Sequence, residues 1–228
     1  SSREIGRLHI SSLQMADIAK PYKVLFLHGK GETGPTFATR TQKIAAALKD
    51  ARHSVEVEYL TAPIEIGETK FAWWSLPPNT RSFTATEYIG VDQAFKLIED
   101  AWEEKGPFDA VMGHSQGAIL MSILLAKGVC EGYSVKPTKA LLFGAAWPKP
   151  FESLMGKLKG VDMSTSAYKP KTLHIYAMND DINPAEHAIQ IKELMGPEAE
   201  SHLHEGGHGI PMDDESLKRF TAFLFNAN

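Results

Sequence analysis

Residues 109–127 restrict the fold more than any other stretch. Asp109 to Met112 reads as the end of a buried strand and Ala118 to Lys127 as an apolar helix, with only Gly113-His-Ser-Gln-Gly117 between them. A strand that turns into a helix this abruptly matches G-x-S-x-G in its required context. The serine at the apex sits in strained backbone, and the glycines two before and two after let neighbouring segments pass close by. Ser115 then projects above the sheet edge and reads as a nucleophile. The backbone N–H of Gln116, at the helix N-terminus, faces the place where an oxyanion would form.

The rest of the chain alternates strands and helices. Apolar runs at Lys23–His28, Asp109–Met112, Lys139–Gly144 and Thr172–Tyr176 predict strands, as does the alternation of Val55, Val57 and Tyr59 in Ser54–Leu60, and Glu200–His204 reads as the last strand. Helical spacing predicts helices over Phe37–Asp50, Ile89–Glu104, Ala118–Lys127, Ala185–Met195 and Glu215–Phe225. The stretches Pro63–Thr86 and Ala145–Pro170 read as irregular excursions. Non-hairpin connections between such strands predict an α/β fold, a mostly parallel central sheet with helices on both faces. At 228 residues the chain is one domain in size, and it has no internal repeat or linker. Residues 1–20 are polar and read as an N-terminal extension, with Met15 opening Met-Ala-Asp just before the first strand; residues 1–14 look like a leader remnant or a non-native segment.

A formal net charge of −4 and the lack of a dense Lys/Arg run give no reason to expect nucleic acid. No apolar run reaches the roughly 18 residues of a membrane span. The one cysteine, Cys130, excludes an intramolecular disulfide and favours a reducing compartment. Sequence leaves the oligomeric state open.

A serine nucleophile needs a base for its proton and an acid to orient that base. This turn resembles the nucleophile elbow of α/β-hydrolases, and the resemblance implies the chain order Ser, then Asp or Glu, then His. Of nine histidines, His208 in Glu205-Gly-Gly-His-Gly-Ile-Pro211 lies in a glycine-rich loop just past the last strand, and it is the expected base. Ala177-Met-Asn-Asp-Asp-Ile-Asn-Pro184 follows the penultimate strand and supplies the acid; Asp180, four residues before Pro184, is preferred over Asp181. His28-Gly29-Lys30, after the first strand, offers the Lys30 N–H as the second oxyanion donor. His202 and His204 share a strand face, but no acidic or Cys partner has ligand spacing there, so no metal is expected.

These residues together resemble the FSH family of small serine hydrolases within the α/β-hydrolase superfamily, over roughly Lys23 to Leu224. The resemblance rests on Phe26-Leu-His-Gly29, Gly106-Pro-Phe-Asp109 leading into Gly113-His-Ser-Gln-Gly-Ala118, Asp180 through Pro184, Gly206-Gly-His208 with Pro211, and Ala72-Trp-Trp74. One departure stands out, since the family usually has Phe where this chain has His114. The resemblance implies the triad Ser115, Asp180 and His208, a carboxylesterase activity, and the cytoplasm or nucleus as its place. The expected substrate is a small-molecule carboxylic ester, with a thioester as the alternative and a non-catalytic hydrolase-like binding module as the contrasting class. No cofactor is called for. Trp73 and Trp74 in the first excursion and Trp147 in the second are expected to line the pocket, which favours medium-to-long acyl chains.

Overall fold

The central strands are apolar at nearly every position, so they can be buried on both faces only if helices cover both. The computed structural model describes residues 20–226. Strands β1 (Tyr22–Leu27), β2 (Val55–Leu60), β5 (Ala110–His114), β6 (Lys139–Phe143), β7 (Lys171–Tyr176) and β8 (Glu200–Leu203) form one sheet in the order β2-β1-β5-β6-β7-β8. Every neighbouring pair runs parallel. Side chains alternate between two cores. Leu25, Leu27, Val111, Ala140 and Leu142 join helices α3 (Val91–Lys105), α4 (Gln116–Glu131), α5 (Glu152–Lys159) and α6 (Ala185–Leu194) on one face. Val24, Phe26, Met112, Leu141 and Phe143 pack against α1 (Gly34–Arg40), α2 (Gln42–Ala51) and α7 (Asp214–Phe225) on the other. This is the α/β-hydrolase arrangement expected from the sequence.

The elements differ from expectation where local chemistry intervenes. The helix expected over Phe37–Asp50 is two helices broken at Thr41, whose hydroxyl turns back to the Phe37 carbonyl at 2.8 Å. Its start lies earlier, because Thr33 and Thr36 form a capping box ahead of Phe37. The first excursion contains an antiparallel pair, β3 (Ile64–Gly67) and β4 (Lys70–Ala72). The second contains α5, whose Leu154, Met155 and Leu158 share one buried face. Prolines 148, 150 and 170 on either side disguise that short helix as loop. Among the described residues no helix is long and apolar enough to cross a membrane. The N-terminal extension expected over 1–20 lies almost entirely outside the described residues.

Strand order positions the site. From β1 the chain steps outward to β2, returns on the other side of β1 as β5, and continues outward through β8. A reversal of this kind opens a crevice at the carboxyl ends of the two strands flanking it. Ser115 follows β5 and the Gly29–Lys30 loop follows β1, so both face that crevice.

Candidate active site

Ser115 adopts φ 52° and ψ −116°, a conformation L-residues rarely tolerate. The surroundings hold it there. Its N–H donates to the Phe143 carbonyl at 2.9 Å, and its own carbonyl accepts from Ile119 N–H at 2.9 Å. A Cβ on Gly113 would lie 2.6 Å from the Gly117 carbonyl, and one on Gly117 would strike the Leu27 carbonyl. The two glycines are therefore what lets β5, the turn and β1 approach. Because the Ser115 hydroxyl makes no capping bond to α4, it remains available to the crevice.

His208 meets it from the opposite side. His208 Nε2 lies 2.9 Å from Ser115 Oγ, and Nδ1 lies 2.7 Å from Asp180 Oδ2. Acceptance by the carboxylate puts the ring proton on Nδ1 and leaves Nε2 free to take a proton from the hydroxyl. Asp180 is itself fixed, since its Oδ1 accepts the N–H groups of Ile182 and Asn183, each at 2.9 Å. Its side chain is 1% exposed, whereas Asp181 is exposed and makes no hydrogen bond to His208. Asn183 adds a strut by donating to the Gly144 carbonyl at 2.7 Å. The three expected residues thus form one hydrogen-bonded chain.

Neither the Lys30 nor the Gln116 backbone N–H has an acceptor among the described residues. Their strand-end loop and helix start border the same cleft, of about 590 Å³, that Ser115 and His208 line. His28 braces the first of these. Its Nδ1 donates to the Gly29 carbonyl at 2.6 Å, and its Nε2 accepts the Ala62 N–H at 2.9 Å. Burial pushes the His28 pKa below the ordinary histidine value, which keeps that neutral tautomer.

With this geometry in hand, comparison with known proteins is decisive about kinship. A model of the FSH1 serine hydrolases matches residues 15–220. The chain belongs to that family. Relatives of this FSH1 hydrolase include esterase CG5412 of Drosophila melanogaster, 27% identical with 91% of this chain and 75% of that protein covered. Esterase OVCA2 of Danio rerio is 24% identical over 90% of this chain and 97% of that protein. Among solved structures, esterase PE8 superposes with a TM-score of 0.67 at 23% identity, covering 90% of this chain and 92% of the other.

The pocket tryptophans of this FSH1 hydrolase must be corrected. Trp73 and Trp74 are 0% exposed, and neither they nor Trp147 line the cleft. Trp73 Nε1 donates to the His28 carbonyl at 2.8 Å, and Trp74 stacks on Tyr88 with ring centroids 4.2 Å apart. The Gln116 side chain clamps their backbone, accepting from Trp73 N–H and donating to the Trp74 carbonyl, both at 3.1 Å. These rings therefore anchor the loop beneath the site. Trp147 packs, half-buried, against the core. The first excursion does reach the cleft, but through Leu76, Thr80, Arg81 and Ser82.

Sequence reading also overlooked a polar relay. Arg40 donates to Glu32 at 2.9 Å and to His114 Nδ1 at 2.9 Å, and His114 Nε2 lies 2.9 Å from the His208 carbonyl. Glu32 also accepts the Gly29 N–H at 3.1 Å. The departure from the family's usual Phe was the available signal. His202 and His204 take ordinary partners, the Ser216 hydroxyl at 2.9 Å and the Gly206 N–H at 3.1 Å.

Proposed function

We propose that this serine hydrolase cleaves carboxylic esters through an acyl-enzyme formed on Ser115. The observation that carries the reading is the unbroken chain Asp180–His208–Ser115 at 2.7 and 2.9 Å. Ser115 Oγ would attack the carbonyl carbon as His208 Nε2 takes its proton, while Asp180 steadies the resulting imidazolium. The N–H groups of Lys30 and Gln116 would hold the tetrahedral oxyanion, helped by the positive end of α4. Collapse returns the proton from His208 to the departing alkoxide. Water then attacks the acyl-enzyme with the same base, releasing the acid and regenerating Ser115. Thioesters enter the same sequence with a better leaving group. The medium-to-long acyl preference loses its support, because the tryptophans that motivated it lie elsewhere and Leu76 and Ile182 are the aliphatic side chains on the cleft.

The test pairs a fluorophosphonate probe with a panel of p-nitrophenyl esters and acyl-CoAs. We expect labelling on Ser115, loss of labelling and turnover in Ser115→Ala, and ester hydrolysis by the wild type. Labelling on another residue, or full activity in Ser115→Ala, rules the reading out. Acyl-CoA turnover well above ester turnover moves the activity to thioesters.

A further inference from the structure

The cleft over Ser115 carries charge of the opposite sign to the chain as a whole. Three permanent cations line it, Lys30, Arg40 and Arg81, against one carboxylate, Glu32. The protein's formal net charge is −4. Glu32 is already engaged by Arg40 at 2.9 Å. Lys30 and Arg81 have no acidic partner among the described residues. Asp180 does not balance them, since it is buried behind His208 and its charge answers the imidazolium.

Arg81 is presented from a fixed turn. Its N–H donates to Thr84 Oγ1 at 2.9 Å and its carbonyl accepts from Ala85 N–H at 2.8 Å. The next residue, Ser82, is tied through its carbonyl to the Tyr88 hydroxyl at 2.8 Å, and Tyr88 is held in the stack on Trp74. The stack of Trp74 on Tyr88 therefore helps fix the backbone turn from which the exposed Arg81 side chain reaches the cleft. Thr80, Ser82 and Asn183 keep the surrounding wall polar. A cleft bordered by two uncompensated cations attracts and focuses negative charge.

We infer that the ester this enzyme takes bears an anionic group, a carboxylate or phosphate, which Lys30 and Arg81 hold while Ser115 attacks the ester carbonyl. The inference rests on the ester-hydrolase reading above and narrows its substrate class. Arg81 supplies a planar fork suited to either oxyanion, and Lys30 supplies a mobile point charge beside the oxyanion donors.

Matched esters test it. Monophenyl adipate against phenyl hexanoate places the charge on the acyl side. On the alcohol side, 4-acetoxybenzoate against its methyl ester does so with a carboxylate, and 4-acetoxyphenyl phosphate does so with a phosphate. In low salt we expect kcat/KM for at least one anionic ester to exceed that of its neutral partner by about tenfold or more. Most of that preference should vanish near ~0.5 M NaCl, where the screening length falls to a few ångströms. In Arg81→Gln the anionic-to-neutral ratio should drop severalfold. Calorimetric titration of the same esters into Ser115→Ala reads binding without turnover, and the anionic member should again bind more tightly. Hydrolysis of neutral esters with no anionic preference, and no tighter anion binding, overturns this inference and leaves the hydrolase reading intact. Tighter anion binding without hydrolysis of any ester upholds the anion site and overturns the hydrolase reading.

Discussion

His114 Nε2 donates to the backbone carbonyl of His208 across 2.9 Å. The direction follows from the other side of the ring, where Nδ1 faces an Arg40 guanidinium nitrogen that can only donate. Burial, with Arg40 beside it, pushes the His114 pKa down to about 3, so the ring stays neutral at working pH and keeps this tautomer. The residue beside the nucleophile thereby fixes the loop that carries the base. Replacing it with the family's usual residue, His114→Phe, removes both bonds and leaves the loop free to shift. We expect kcat to fall about 10- to 100-fold with KM nearly unchanged, because small misplacements of reacting groups are costly. Fluorophosphonate labelling should slow in parallel. A change confined to KM would show that His114 serves substrate binding instead.

Asp180→Asn should lower kcat by up to ~10⁴-fold, since an amide cannot enforce the Nδ1–H tautomer of His208. Asp181→Asn should stay near wild type, because that side chain is exposed and has no bond to His208. Steady-state kinetics on one neutral ester ranks the two. The reverse ranking would require the loop after β7 to turn by a residue in solution.

Those two aspartates show what a sequence can reveal of a site. That Asp180, His208 and Ser115 meet is legible because each lies just past a strand, and parallel strands deliver their carboxyl ends to one edge. Pattern alone could place them without knowing a single distance. The tryptophans failed for the complementary reason. Trp73 and Trp74 sit in an irregular segment, where no periodicity says which way a side chain points, and Gln116 turns them inward through bonds 43 and 42 residues apart in sequence. The relay from Glu32 through Arg40 to His114 was hidden likewise, since it joins α1 to β5 only in the folded chain. Short α5 escaped because its apolar face spans little more than one turn.

Acid should destabilise the protein in a way traceable to buried histidines. His174 is 0% exposed, and burial pushes its pKa down to about 3. Its unfolded value is near ~6.5, so below that pH the unfolded chain binds a proton that the folded one refuses. The stability this neutral ring supports is complete above ~6.5 and is lost as pH falls toward 3, by up to ~1.4 kcal/mol per pH unit for each such histidine. His114 adds a second contribution of the same sign. His174→Leu should therefore flatten the fall in urea midpoint between pH 6.5 and 4.5. An unchanged slope would mean that other groups carry the acid sensitivity.

Trp73→Phe separates a structural tryptophan from one that touches substrate. The substitution keeps a large ring in a site that is 0% exposed but removes the Nε1 donor from the His28 carbonyl. Leaving a buried carbonyl without its partner costs about 1–3 kcal/mol, and the indole's lost volume adds a cavity term of its own. A lower Tm is the expected result. Because Trp73 does not line the cleft, the ratio of kcat/KM for p-nitrophenyl octanoate to that for butyrate should match the wild type within error. Any fall in activity should be shared by all acyl lengths, through the His28-Gly29-Lys30 loop that the indole braces. A shift of the octanoate-to-butyrate ratio without a drop in Tm would instead put the ring against the acyl chain.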